Sequence, residues 1–183
     1  MKDYWLAKLI SSVTEVDSRK RLQKSIYLLQ RAGCPLSLSY ILHYYGPYSF
    51  ELAGLIDQLK GADIIDESLE PTGFGGIRYR SKISQKGKSV LANFEKSETG
   101  KEVYGQIQPF ISCFRDLNKE DPWVLELAAT VAYFNEGNWT EAQKQTAIFK
   151  KLSKNDKSLK KAFALASALG GLYGPKVIPR PAL

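Results

Sequence analysis

Arg78, Arg80 and Lys82 alternate with Tyr79, Ser81 and Ile83, and Lys86 and Lys88 follow closely. Successive side chains of a strand point to opposite faces, so this spacing gathers three cations on one face. Such a row suits the phosphates of double-stranded DNA, whose backbone accepts Lys and Arg contacts whatever the bases. A solvated strand edge is the plainer use of the same residues. Lys20, Lys24 and Arg31 form a second basic set, with Arg19 and Arg21 nearby. Their spacing on a helix aligns them opposite the apolar stripe Leu22, Ile26 and Leu29. The lysines 150, 151, 154, 157, 160 and 161 make a third run, which could contact nucleic acid but is read as a solvated face whose first three members complement a helix C-terminus.

The elements that position these residues follow from hydrophobic period and from turn residues. Trp5, Leu6, Leu9, Ile10 and Val13 predict a first helix. Asp17 and Ser18 can cap a second, which Gly33 and Pro35 stop. Leu36 to Tyr45 is read as a short third helix ended by Gly46-Pro47. Ser49 caps a fourth, with Leu52, Leu55, Ile56 and Leu59 on its buried face. Two strands, Ile64–Leu69 and Ile77–Ile83, flank a glycine turn, and Ser84 caps a helix reaching Phe94. Beyond the polar stretch Glu95–Lys101 the pattern is helical, with faces led by Val103, Val124, Ala142 and Leu159. The last residues, PKVIPRPAL, read as extended.

The expected fold is mainly α with a small β-hairpin. It comprises a winged helix-turn-helix domain over residues 1–96, a helical extension over 97–174, and a Pro-rich tail over 175–183. The apolar helices of the extension could pair two protomers.

Net charge is +7, from 26 Lys and Arg against 19 Asp and Glu. It is spread evenly along the chain: residues 1–97 carry 14 basic and 10 acidic groups, and the remainder 12 and 9. Only clustering turns such an excess into a site. Asp3 and Lys8 interrupt the N-terminal apolar run, and the longest charge-free apolar run, Ala162 to Tyr173, is too short to span a bilayer. A cytoplasmic protein with no membrane partner is expected. Cys34 and Cys113 are far apart and read as buried thiols, and one histidine with no paired cysteines excludes a zinc site.

Motifs for catalysis fail. Gly87-Lys88-Ser89 ends like a phosphate-binding loop, but Lys82 stands where that loop needs glycine. His43 is alone and reads as a packed side chain. No catalytic residue, metal or cofactor is expected.

RLQKSIYLLQ (Arg21–Gln30) followed by HYYGPYS (His43–Ser49) resembles the YwgA-like family of small prokaryotic proteins, with Tyr45-Gly46-Pro47-Tyr48-Ser49 its most recognisable part. The helical segment VLELAATVAYF also resembles the family's second half. RLQKSIYLLQ and HYYGPYS are more distantly similar to the Panacea/SocA-type antitoxin domain, and RYRSKISQKGKSVL is similar to the wing and following helix of winged-helix regulators. The first resemblance implies a winged-helix-like fold and no catalytic residues. The second implies a protein-binding module.

Two functions follow as expectations. The first is a non-enzymatic DNA-binding, regulator-like protein gripping phosphates through Arg78, Arg80, Lys82, Lys86 and Lys88, helped by Lys20, Lys24 and Arg31. The presumed recognition helix weighs against it, because Glu51 and Asp57 occupy positions where base readers need Arg, Asn or Gln. The second is a protein-interaction module, an antitoxin or adaptor, that uses Tyr45, Tyr48 and Phe50.

Overall fold

The computed structural model describes residues 1–73, 75–153 and 155–173. The expected tail, 175–183, and Lys154 lie outside the described residues. The chain is mainly helical with two small antiparallel hairpins. Its elements run α1 (Lys2–Ser11), α2 (Arg19–Arg31), β1 (Ile41–His43), β2 (Gly46–Tyr48), α3 (Phe50–Gly61), β3 (Ile65–Pro71), β4 (Ile77–Ile83), α4 (Gln85–Phe94), α5 (Glu98–Lys119), α6 (Pro122–Phe134), α7 (Trp139–Phe149) and α8 (Lys157–Tyr173). Among the described residues no helix is long and apolar enough to cross a membrane.

The expected third helix, Leu36–Tyr45, does not form. Leu36, Leu38 and Tyr40 are buried while Ser37, Ser39 and Ile41 are exposed, the two-residue period of extended chain. Ser37 has φ +50, a left-handed conformation that a helix cannot continue through. The chain then turns at Tyr44-Tyr45 into the β1–β2 hairpin, with Ile41 opposite Tyr48 and His43 opposite Gly46. His43 therefore lies on a strand, not on a helix, and it is exposed rather than packed as expected.

The chain divides into two compact units, each made of two segments. One comprises residues 1–22 and 50–118, the other residues 23–49 and 119–183. These borders differ from the cut near residue 96 that composition suggested.

In the first unit Trp5, Leu6, Leu9 and Ile10 form the buried face of α1. Leu52, Ile56 and Leu59 of α3, Leu91 of α4 and Val103 and Ile107 of α5 complete the core. Trp5 Nε1 donates to the Val103 carbonyl at 3.2 Å, which satisfies the indole inside apolar surroundings. Ser84 caps α4 by accepting from the Gly87 amide at 2.8 Å. A Cβ at Gly87 would overlap the Ile64 carbonyl, so only glycine lets α4 lie against the chain entering β3. Val16 and Ser81 exchange backbone hydrogen bonds at 2.8 and 2.9 Å, adding a single bridge to the β3–β4 hairpin.

In the second unit α6 is buried on every side from Val124 to Ala132. It starts at Pro122, behind an Asp121 carboxylate that accepts from the Trp123 and Val124 amides at 2.9 and 3.0 Å. Ala142, Thr146 and Ala147 of α7 and Leu159, Ala162, Ala166 and Leu169 of α8 are buried in the same unit.

Candidate functional site

The β3–β4 hairpin places the basic strand opposite an acidic one. Arg78 faces Glu70, Arg80 faces Ser68, and Lys82 faces Asp66. Residues directly opposite in an antiparallel pair share a face, so the cationic row carries carboxylates beside it. Arg80 is taken up by Glu15 and by Glu70, the latter at 2.8 Å. Burial pulls its guanidinium pKa down, and the two carboxylates more than reverse that. Lys86 lies 3.6 Å from Asp63. Arg78, Lys82 and Lys88 are exposed.

A second ion cluster lies below that hairpin. Arg19 Nε and Nη2 each donate to the Glu67 carboxylate at 2.7 Å, and Nη2 also reaches Asp57 at 2.7 Å. The guanidinium stacks 4.8 Å from the Tyr79 ring centre. Burial pushes the Glu67 carboxyl up, but Arg19 and Lys60 outweigh it and hold the group below its ordinary range. Asp57 and Glu51 of α3 are both occupied in ion pairs, Glu51 with Lys2 at 2.5 Å. Gln58 and Lys60 of the same helix are exposed, and Phe50 at its start is 71% exposed.

The other basic residues read from α2 have different fates. Lys20 is exposed and Arg31 is half-buried, donating to the Asn135 carbonyl at 3.3 Å. Lys24, expected on a polar face, is buried and donates to the Pro47 carbonyl at 2.7 Å. The expected polar face does not exist, because every residue from Arg21 to Gln30 is buried. Lys24 is thus no phosphate contact on this surface.

What that face does instead is fasten the β1–β2 hairpin. Gln23 donates to the Ser49 carbonyl at 2.8 Å and accepts from the Ser49 amide at 2.9 Å. Gln30 treats Leu38 in the same way, at 2.8 and 2.9 Å. Seven residues is close to two helical turns, so the two amides lie on one side of α2 and grip the chain before and after the hairpin. Between them Tyr27 meets the Tyr40 ring edge-on at 4.8 Å.

The hairpin also rests on α6. Gly46 has φ +82, and a Cβ there would come within 2.7 Å of Thr130 Oγ1. Glycine is required twice over, by conformation and by space. The neighbouring Glu126 is 1% exposed. Lys150 reaches its Oε1 at 2.5 Å and donates to the Tyr44 carbonyl at 2.6 Å. A buried carboxylate persists only when paired and hydrogen-bonded, which Lys150 supplies. The same ammonium lies 5.6, 5.8 and 5.3 Å from the ring centres of Tyr44, Trp123 and Phe149.

Lysine ammonium groups thus hold one carbonyl of the turn, at Tyr44, and one of β2, at Pro47, and the side chains of the turn are exposed. Tyr44 is 72% and Tyr45 54% exposed, with Ile41 alongside at 40%. Tyr48 is half-buried. Sequence reading found Tyr45, Tyr48 and Phe50, missed Tyr44, Gln23, Gln30, Glu126 and Thr130, and set Lys150 on a solvated face, whereas its side chain is 5% exposed and bound to Glu126. The available signals were the Gln23–Tyr27–Gln30 spacing and a lone glutamate inside the apolar run VLELAATVAYF.

The fold also redistributes charge. The unit holding the basic strand has 14 basic against 13 acidic residues, a balance of +1. The unit holding the tyrosine hairpin has 12 against 6, a balance of +6.

No family model matches the chain. Over 130 residues it is 30% identical to the "Uncharacterized protein YwgA" of Bacillus subtilis (strain 168), across 71% of this chain and 72% of that protein.

Proposed function

We propose that this chain, which belongs to the YwgA-like family, is a non-enzymatic protein-interaction module, an adaptor or antitoxin-like component. Its contact surface is the β1–β2 hairpin. The observation that carries this reading is the exposed Tyr44-Tyr45 turn, whose backbone Lys150 ties to the buried Glu126 while Lys24 holds the following strand at Pro47. Rigid, exposed aromatic side chains are what a protein interface uses as anchors, because they bury much area at little conformational cost. The paired carboxylates around Arg80, the burial of Lys24 and the near-neutral charge of the unit with the basic strand all weigh against phosphate binding.

A photo-reactive phenylalanine analogue placed at position 44, and separately at 78, tests it in cells. Protein adducts from position 44 that vanish in a Tyr45→Ser background are expected. Adducts to DNA from position 78, with none to protein from 44, would overturn it.

The second reading is DNA binding by a winged helix. The Val16–Ser81 bridge beside the β3–β4 hairpin favours it, since it gives the wing a third strand segment, and Arg78, Lys82 and Lys88 remain exposed. Duplex binding that falls steeply with salt, and is lost in an Arg78→Glu/Lys82→Glu variant, would establish it.

A further inference from the structure

We propose that the surface of Tyr44 and Trp123, with positive charge from Lys151, Lys157 and Lys160, docks an acidic segment of a partner protein. An apolar or aromatic side chain of that segment would seat against the two rings. This rests on the hairpin reading above and names the partner's chemistry.

One ammonium locates the patch. Lys150 lies within 6 Å of both ring centres, so Tyr44 from the hairpin and Trp123 from the first turn of α6 border the same spot. Both rings reach solvent, at 72% and 37% exposure. Lys150 itself forms the floor, since its side chain is 5% exposed and bound to Glu126. Its charge is therefore satisfied before any partner arrives.

Basic residues follow Lys150 along the chain. The chain leaves Lys150 directly into Lys151, which is exposed and has φ +54. Lys157 and Lys160 then lie exposed on the first turn of α8. From 150 to 161 the sequence holds six lysines and one acid, Asp156. With a unit balance of +6, approach of a negatively charged segment is favoured at long range and a basic one is repelled. The arrangement, aromatic centre and charged rim, is that of a specific protein interface. Lys150 also lies over one face of each ring.

A fluorescein-labelled peptide of alternating glutamate and leucine tests this by anisotropy at low salt, against its glutamine-for-glutamate counterpart and an oligothymidine of equal charge. The glutamate peptide is expected to bind best. Reversal of the rim, Lys151→Glu/Lys157→Glu/Lys160→Glu, is expected to weaken it about tenfold or more, whereas Arg78→Glu/Lys82→Glu changes it less than about twofold. Circular dichroism checks that each variant is folded. Equal or tighter binding of oligothymidine would overturn the proposal in favour of a nucleic-acid surface. Equal binding of the glutamine peptide, or none of the glutamate peptide, would also overturn it while leaving the hairpin reading intact. Binding that survives Tyr44→Ser/Tyr45→Ser would overturn both the hairpin reading and this proposal, which needs the Tyr44 ring.

Discussion

The ammonium of Lys24 lies 2.7 Å from the carbonyl oxygen of Pro47, and the Lys24 side chain is almost wholly buried. A lysine that sequence pattern assigns to solvent is thus a fastener for the second strand of the hairpin. Replacing it by methionine keeps the volume and removes the donor. A loss of about 1–3 kcal/mol in urea unfolding is expected, together with faster amide exchange at Tyr48. An unchanged unfolding curve would show that the bond contributes nothing.

Lys150→Met is expected to cost more. It strands the Glu126 carboxylate, buried to 1% exposure, without its ammonium. Breaking one half of a buried pair costs about 3–5 kcal/mol, whereas Lys150→Met with Glu126→Gln should recover much of that. Chemical denaturation of the two single variants and the double variant checks the coupling.

Gly46→Ala introduces a Cβ 2.7 Å from Thr130 Oγ1 at φ +82. A loss of about 1–3 kcal/mol is expected from the strained backbone and the overlap together. Adding Thr130→Ala removes the overlap only, so thermal melts of the double variant should show partial recovery.

Much of this was legible beforehand. α1, α3, the β3–β4 hairpin, α4 and the four helices after it lie close to where hydrophobic period and capping residues put them. The β1–β2 hairpin was not, although Leu36, Leu38 and Tyr40 alternate with Ser37 and Ser39. The helical pattern of the flanking segments masked a two-residue period too short to stand out. The Glu126–Lys150 pair was illegible for another reason. A charge inside an apolar run signals a partner, but nothing local says which lysine it is. The opposed carboxylates of β3 were visible as residues, yet their register against Arg78, Arg80 and Lys82 needed the turn geometry.

Acid sensitivity should trace to Glu67. Its pKa is depressed in the folded state, so the stabilisation is complete above its ordinary value near 4.5 and is lost as pH falls through the lower folded value. Urea midpoints measured between pH 6 and 2 should decline more gently in Glu67→Gln, which is less stable at neutral pH. Parallel declines would remove Glu67 as the cause.

Burial, and then Asp116, push the Cys113 thiol up to about 11. The thiolate is the reactive form, so the native protein should react with a disulfide reagent at pH 8 far more slowly at Cys113 than the urea-unfolded chain does. Its reactivity should rise only as pH approaches the shifted value. An Asp116→Asn variant should react somewhat faster; native rates equal to unfolded ones would contradict the shift.

The bond from Lys150 to the Tyr44 carbonyl joins residues 106 positions apart. During synthesis at roughly 5–20 residues per second, the tyrosine turn leaves the ribosome about 5–20 s before the lysine that locks it. α2 can grip the hairpin segment early through Gln23 and Gln30, because those partners are close in sequence. The floor made by Glu126 and Lys150 comes last. The aromatic turn is therefore the oldest part of its surface to emerge and the latest to be finished, and a partner or chaperone present at the ribosome meets it first in its unlocked form.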